Sequence, residues 1–146
     1  MIENNFYLKS GYKQINFDKQ EFRDYATGST IFPNNVAPIN TYGDQYMQKT
    51  YKPHSNNSII YVLGLTSFSF GLHTCALFVD DVVNAIGAAT FRFNGDYVSG
   101  EYINISLTEK TFYFRAGLTS AGTLYFNRFL NQNVISAIII KEFIKL

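Results

Sequence analysis

Tryptophan is absent from the 146 residues, and cysteine (one), histidine (two) and proline (three) are scarce. The lone Cys75 excludes an intrachain disulfide, so the fold has to stand on packing and not on a redox compartment. His73 lies two residues from Cys75, on the same face of any strand through both. With His54 in a separate proline-bearing segment, the three or more ligands of a zinc site are not assembled. A buried, inert Cys75 is expected, with no metal. Charge is also sparse: 12 Lys and Arg against 11 Asp and Glu leave a net charge of +1. The cations are scattered singly, without the basic stripe that a phosphate backbone requires, which argues against nucleic acid as a partner. The opening MIENNFYLKSGYK has no apolar run of signal-peptide type, and no stretch approaches the length of a membrane span. Synthesis in a cytoplasm, without an export signal and without membrane insertion, is the expectation. Internal repeats, low-complexity tracts and charge blocks are missing too.

Catalytic motifs are equally scarce. The serines form no GxSxG elbow, and the glycines form no phosphate cradle. A glycosidase needs two facing carboxylates, and most acidic residues fall at strand ends or turns, where solvated turn residues are common. Asp80-Asp81 has no neighbouring oxygen donors from which a calcium cage would be built. No catalytic residue, metal ligand or cofactor is therefore expected. Asn56-Asn57-Ser58 and Asn104-Ile105-Ser106 match the glycosylation acceptor pattern, but without a secretion signal they read as chance.

Aromatic residues dominate what is present: 14 Phe and 11 Tyr, with 10 Gly and many Asn. Aromatic and β-branched side chains suit a pleated surface, and Asn and Gly suit the turns between strands. A chain of this length fits one domain that buries roughly 68% of its unfolded surface. All three prolines (Pro33, Pro38, Pro53) precede residue 57, where apolar groups are short. This part, 1–57, reads as an irregular leader lying along a partner or the domain surface. A short helix over 18–25 is suggested by Asp18 as a cap with Glu21 at the reciprocal position. From Ser58 onward strands follow at about 8 to 12 residues, the rhythm of a sandwich or barrel. They are expected over 59–65, 67–70, 74–80, 82–86, 88–93, 102–107, 111–116, 123–127 and 134–143. Asp80-Asp81 and Asn94-Gly95 read as tight hairpin turns.

The closing strand is apolar on both faces. Side chains alternate along a strand, so Ser136, Ile138, Ile140 and Glu142 share one face while Ile135, Ala137, Ile139, Lys141 and Phe143 share the other. A half-solvated strand alternates apolar with polar, so this run implies cover on both sides. With no amphipathic helix to supply it, a second copy of the chain is the simplest cover. The best binding candidates are tyrosines in turn-rich segments. Tyr42, Tyr46 and Tyr51 precede residue 57, and Tyr97 and Tyr102 lie near Asp96. An exposed ring covers the apolar face of a sugar while polar neighbours bond its hydroxyls.

Phe112-Tyr-Phe-Arg-Ala-Gly117, then Gly122-Thr-Leu-Tyr-Phe-Asn127, then Ser136-Ala-Ile-Ile-Ile-Lys-Glu142, together resemble the C-terminal pattern of bacteriophage fibre domains. Ala76-Leu-Phe-Val-Asp80 is similar to the same family's strand and hairpin. The likeness spans 58–143, and Asp81 and Arg128 stand where such proteins usually have Gly. The resemblance implies an all-β, jelly-roll-like antiparallel sandwich (58–146) that forms a homotrimer in a virion appendage, often as the knob touching the host surface; a host-surface glycan is the partner that exposed tyrosines would suit. It also divides the closing strand. Ile138 and Ile140 are assigned to the core, and Ile135, Ala137 and Ile139 to the subunit interface. A chain with at most 57 residues before the knob suggests a short fibre or a head or tail decoration, its leader docked on a larger virion protein. A stand-alone carbohydrate-binding module is the competing expectation, with Tyr97, Tyr102 and Asp96 as its candidate ligand residues.

Overall fold

A computed structural model describes residues 9–69, 71–92, 96–129 and 131–146, with only the backbone of Asp96. The chain is all-β, and no helix occurs among the described residues. The described residues form thirteen strands: β1 (Tyr12–Phe22), β2 (Ala26–Gly28), β3 (Asp44–Tyr51), β4 (Ser58–Thr66), β5 (Phe68–Ser69), β6 (His73–Val79), β7 (Gly87–Phe91), β8 (Asp96–Asn104), β9 (Lys110–Leu118), β10 (Leu124–Phe126), β11 (Arg128–Phe129), β12 (Gln132–Asn133) and β13 (Ser136–Lys145). Two four-stranded antiparallel sheets carry the fold, ordered β1-β13-β4-β8 and β3-β9-β6-β7. Small sheets β2-β10-β5 and β11-β12 complete it.

The long strands pair in a nested way. β1 pairs with β13, β3 with β9, β4 with β8 and β6 with β7. The chain thus folds like one long hairpin rolled into two sheets, closed by β13 on β4 and by β9 on β6. This is the jelly-roll solution to the edge-strand problem. Between the sheets lies one core in which Ile60, Val62, Ile138 and Ile140 meet Cys75, Leu77, Phe112, Phe114 and Met47. Gly64 is needed there, because a Cβ at this position would run into the ring of Phe114. At one edge Lys49 Nζ reaches Asp18 at 2.9 Å, tying β3 to β1 across the gap between the sheets.

The leader expected over 1–57 is not separate from the sandwich. β1 and β3 are full members of the two sheets, so the domain has no boundary at residue 57. The helix expected over 18–25 is strand as far as Phe22, paired residue for residue with β13. A cap signature with two apolar residues is weaker than a full ladder on an open sheet edge. The prolines sit between these strands. The segment joining β2 to β3 runs over the outer face of the second sheet, where Phe32 packs on Ala76 and Phe78. Phe32 N–H donates to Leu118 O at 2.9 Å, and the Arg115 guanidinium donates to Tyr42 O at 2.8 Å and Gly43 O at 2.6 Å.

Three further expectations change. Residues 82–86 are not a strand: Asp80 has φ +48° and Val82 N–H bonds Val79 O. The chain then leaves the sheet to meet the proline segment through Asn40 N–H to Val83 O and Ala85 N–H to Pro38 O. The strand expected over 102–107 lies at Asp96–Asn104, because pairing with the nine residues of β4 sets its register. Asn94-Gly95 lies outside the described residues, and the strands flanking it, β7 and β8, belong to different sheets and form no hairpin.

β13 is covered on both faces by its own chain. Ile138 and Ile140 face the core as expected. On the other face Ile139 packs with Leu63, Tyr61 and Phe143, flanked by Tyr12 and Phe17 of β1. The Lys9 side chain, just ahead of β1, reaches Glu101 of β8 at 3.1 Å. Ala137 is 5% exposed and Ile139 3%, whereas Ile135, outside the strand, is 49% exposed. The interface assignment therefore fails for Ala137 and Ile139, which the single chain already buries without a second copy.

Buried polar side chains hold the loops to this frame. Glu142, fully buried in β13, accepts from Ser58 Oγ (2.7 Å), Tyr51 O–H (2.7 Å), His54 N–H (2.9 Å) and Ser55 N–H (3.1 Å). Asn104 Nδ2 joins them through Ser55 O at 2.7 Å. Burial pushes the Glu142 carboxyl up, but the hydrogen bonds from Ser58, Tyr51, His54 and Ser55 outweigh it and hold the group below its ordinary value of 4.5. Because the folded pKa is depressed, the stabilisation is present above the ordinary carboxylate range and is lost as pH falls through the lowered value.

Two expectations follow. Glu142→Gln turns an N–H₂ toward a backbone N–H, of His54 or of Ser55, in either orientation of the amide, so urea unfolding at neutral pH should show a loss of about 2 kcal/mol and a flatter acid limb. An unchanged acid limb would remove Glu142 from this role. Ile139→Asp buries an unpaired charge within the single chain and should unfold it, at about 4 kcal/mol, instead of releasing folded subunits. Circular dichroism with light scattering separates these outcomes.

Candidate functional site

The site is built where β1 turns into β2. β1 ends at Phe22 and β2 begins at Ala26, so Arg23, Asp24 and Tyr25 make the turn. Asn127 pins it from below. Its backbone has φ +58°, a conformation that Asn tolerates better than most residues. Its buried Nδ2 donates to Phe22 O at 2.8 Å and Asp24 O at 3.1 Å, while its Oδ1 accepts from Ser136 Oγ at 2.6 Å. Ser136 Oγ in turn accepts from Ser67 N–H at 3.0 Å. One buried amide thus fastens the turn to the start of β13.

Pairing with β10 then separates two faces. Ala26 lies opposite Phe126 and Gly28 opposite Leu124, both pointing inward, while Thr27 lies opposite Tyr125 on the outward side. There Tyr25 and Tyr125 stack with centroids 6.4 Å apart and planes 18° apart. The Arg128 guanidinium lies 4.9 Å from the Tyr25 ring centre. It has no carboxylate partner among the described residues. A cation over an exposed ring and a stacked aromatic pair make a rigid, amphipathic contact surface.

On the inward side is a cleft of about 370 Å³ lined by Gln20, Glu21, Phe22, Arg23, Asp24, Ala26, Tyr46 and Phe126. Phe22, Ala26, Tyr46 and Phe126 pack on the core and form its apolar floor. The other four are exposed and form a polar rim. Glu21 pairs with Arg23 and Lys19. The buried Tyr46 hydroxyl has no hydrogen-bond partner among the described residues. Burial, and then the Asp44 charge, push its pKa well above the usual phenol range, so it remains a donor. Gly28 makes room for it, since a Cβ there would collide with the Tyr46 hydroxyl and the Asp44 carboxylate.

The residues singled out by sequence are dispersed. Tyr97 stands on the outward face of β8, 58% exposed. Tyr102 points the other way, edge-on to Phe112 at 6.1 Å, with Lys110 Nζ 5.7 Å from its ring. The strand's alternation therefore divides Tyr97 and Tyr102, and they form no common site; the Asp96 side chain lies outside the described residues. Tyr51 is buried, Tyr46 packs against Phe68 and Phe126, and Tyr42 packs against Phe32. None of these three is a free surface ring, because the strands and segment that carry them are part of the sandwich.

His73 and Cys75 are buried, with His73 Nδ1 3.0 Å from Gly71 O. Burial raises the Cys75 thiol far above its ordinary range. Among the described residues no three His, Cys, Asp or Glu side chains come together as a metal ion would require. Ser58, His54 and Glu142 have the residue types of a hydrolytic triad, but Ser58 donates its proton to the carboxylate and not to the imidazole. The arrangement clamps a loop and activates no nucleophile.

Sequence reasoning missed Tyr25, Tyr125, Arg128 and the cleft. Tyr25 was expected in a helix and Tyr125 in an ordinary strand, and only the pairing of β2 with β10 joins them. No local signal marks a contact across a hundred residues.

No protein-family model matches the sequence, and no curated protein matches it closely enough to count as a relative. Among solved structures, the chain is similar to the EclA C-terminal domain, a sugar-binding protein, at 10% identity over 78% of each chain and a TM-score of 0.41. That is a loose likeness of overall shape.

Proposed function

We propose that the chain is a non-catalytic adhesion module, the knob of a small bacteriophage fibre or decoration protein that assembles as a homotrimer and contacts host-surface glycan. The observation that carries the binding reading is the exposed Tyr25 stacked on the half-buried Tyr125 with Arg128 upon it, next to a cleft with an aromatic floor. Rings held rigidly at a surface lose little conformational entropy on contact, which suits recognition better than turnover.

The virion reading rests on the resemblance to fibre domains, and the position of the matched residues supports it. Arg115 holds the proline segment, Asn127 and Ser136 hold the β1–β2 turn, and Glu142 holds the loop after β3. Gly117 fits against Thr30 O, where a Cβ would clash. The polar and glycine positions of the pattern are thus the places where the jelly roll fastens its loops. A second reading, a stand-alone carbohydrate-binding module, draws on the same aromatic face.

Trimer contacts in this proposal fall on surface left open by the single chain. Ile103 (74% exposed), Ile105 (78%) and Leu107 continue along the free edge of β8, and Ile135 is exposed above β13. Docking on a larger virion protein does not need 12–51, which form the body of the sandwich.

Light scattering on the purified chain should give three times 16.6 kDa, and Ile103→Asp should lower that mass with the circular dichroism unchanged. A monomer at every concentration would overturn the trimer and favour the stand-alone module. Antibody against the chain should label intact phage particles; unlabelled particles would overturn the virion reading.

A further inference from the structure

We propose that the cleft between the β1–β2 turn and β10 is a saccharide site that takes a neutral pyranose residue. The proposal rests on the adhesion reading only in naming a surface glycan as the source of the sugar. Four features of the cleft point to that ligand class.

Its volume, about 370 Å³, lies at the low end of the roughly 300–1,000 Å³ typical of small-molecule sites. That suits one or two sugar rings and excludes a large cofactor. Its floor of Phe22, Tyr46 and Phe126 offers aromatic surface to the C–H face of a pyranose. Its rim offers acceptors and donors together. The Asp24 carboxylate and the Gln20 amide receive no bond from any described residue, and Arg23 and Glu21 supply the complementary signs. Vicinal hydroxyls, each both donor and acceptor, fit such a rim. Below it the buried Tyr46 hydroxyl is a donor with no acceptor among the described residues, a group whose burial has a cost until an acceptor is supplied.

Charge selects among sugars. Both cations at the rim, Arg23 and Lys19, are paired with Glu21, whereas the Asp24 carboxylate has no cationic partner among the described residues, which disfavours sialic acids, uronic acids and phosphates. Preorganisation supports affinity: Asn127 holds the carbonyls of Phe22 and Asp24, and β1 is paired with β13 along its length. Little ordering remains to be done when a ligand enters.

The test is an NMR titration of the full ¹⁵N-labelled chain with methyl glycosides of neutral hexoses and N-acetylhexosamines, and with sialic acid as the anionic probe. At least one neutral glycoside should shift the amides of 20–28, Tyr46 and Phe126, while sialic acid leaves them in place. Asp24→Asn should weaken that binding about tenfold, and Tyr46→Phe, which keeps the ring packing, about threefold, with an otherwise unchanged spectrum. Shifts by no neutral glycoside, shifts by sialic acid alone, or equal binding by Asp24→Asn would each overturn the proposal. Sugar-induced shifts confined to the Tyr97 face would overturn it while leaving the adhesion reading intact. Cleft binding by a protein that labels no phage particle would leave the saccharide site standing and sink the virion reading instead.

Discussion

Buried on both faces and paired along both edges, the strand Ser136–Lys145 constrains the rest of the molecule. Its ladder groups bond to β1 on one side and β4 on the other, so both partners inherit its register. A one-residue slip would turn Ile138 and Ile140 out of the core and bring Ile139 and Lys141 in. Register is therefore strongly specified, and it passes through β4 to β8 and fixes one whole sheet. The opposite sheet follows because its inner residues, Phe112, Phe114, Leu77 and Met47, must fill the space between Ile60, Val62, Ile138 and Ile140.

The nested topology creates a second requirement, which the buried polar residues meet. Rolling one long hairpin into two sheets leaves loops that cross sheet ends and faces, and their backbone groups need partners away from the ladders. Glu142 meets two N–H groups of the loop after β3, Asn127 meets two carbonyls of the β1–β2 turn, and Arg115 meets two carbonyls of the proline segment. Glu142 and Arg115 come from strands β13 and β9, and Asn127 lies fully buried between β10 and β11, so the loops inherit the rigidity of the core. The β1–β2 turn, with the cleft on one side and Tyr25 on the other, is one of those loops. A binding surface supported in this way presents fixed rings and carbonyls without a helix, disulfide or metal to brace it.

Much of the fold was legible in the chain. Aromatic and β-branched runs separated by Asn and Gly marked the strands from β4 onward, and the unbroken Ala-Ile-Ile-Ile run marked β13 as doubly buried. What covers it was not legible, because cover on a strand's far face comes from another part of the chain. β1 was not legible either: it lies along the edge of β13 and brings Tyr12 and Phe17 beside Ile139, but its alternating Lys, Asp, Gln and Glu look like an exposed segment or a capped helix. The polar alternation is what a sheet edge wants, since one side of β1 is open and charged side chains discourage further pairing. The same features that suit β1 to its place hid it from view.

By itself the sequence determined the class of fold, the unpaired and unreactive character of Cys75, and the division of Ile138 and Ile140 from Ile139, because these follow from composition and from the two-residue period of a strand. Tertiary structure alone decided that Ile139 is covered by its own chain, that Tyr97 and Tyr102 look in opposite directions from any shared ligand, and that Tyr25 meets Tyr125. The physical reason is the nested pairing: it brings together residues a hundred positions apart through backbone hydrogen bonds that carry no side-chain signature. Local pattern records which way a side chain points along its own strand, whereas the neighbour it meets is set by the roll of the whole sheet.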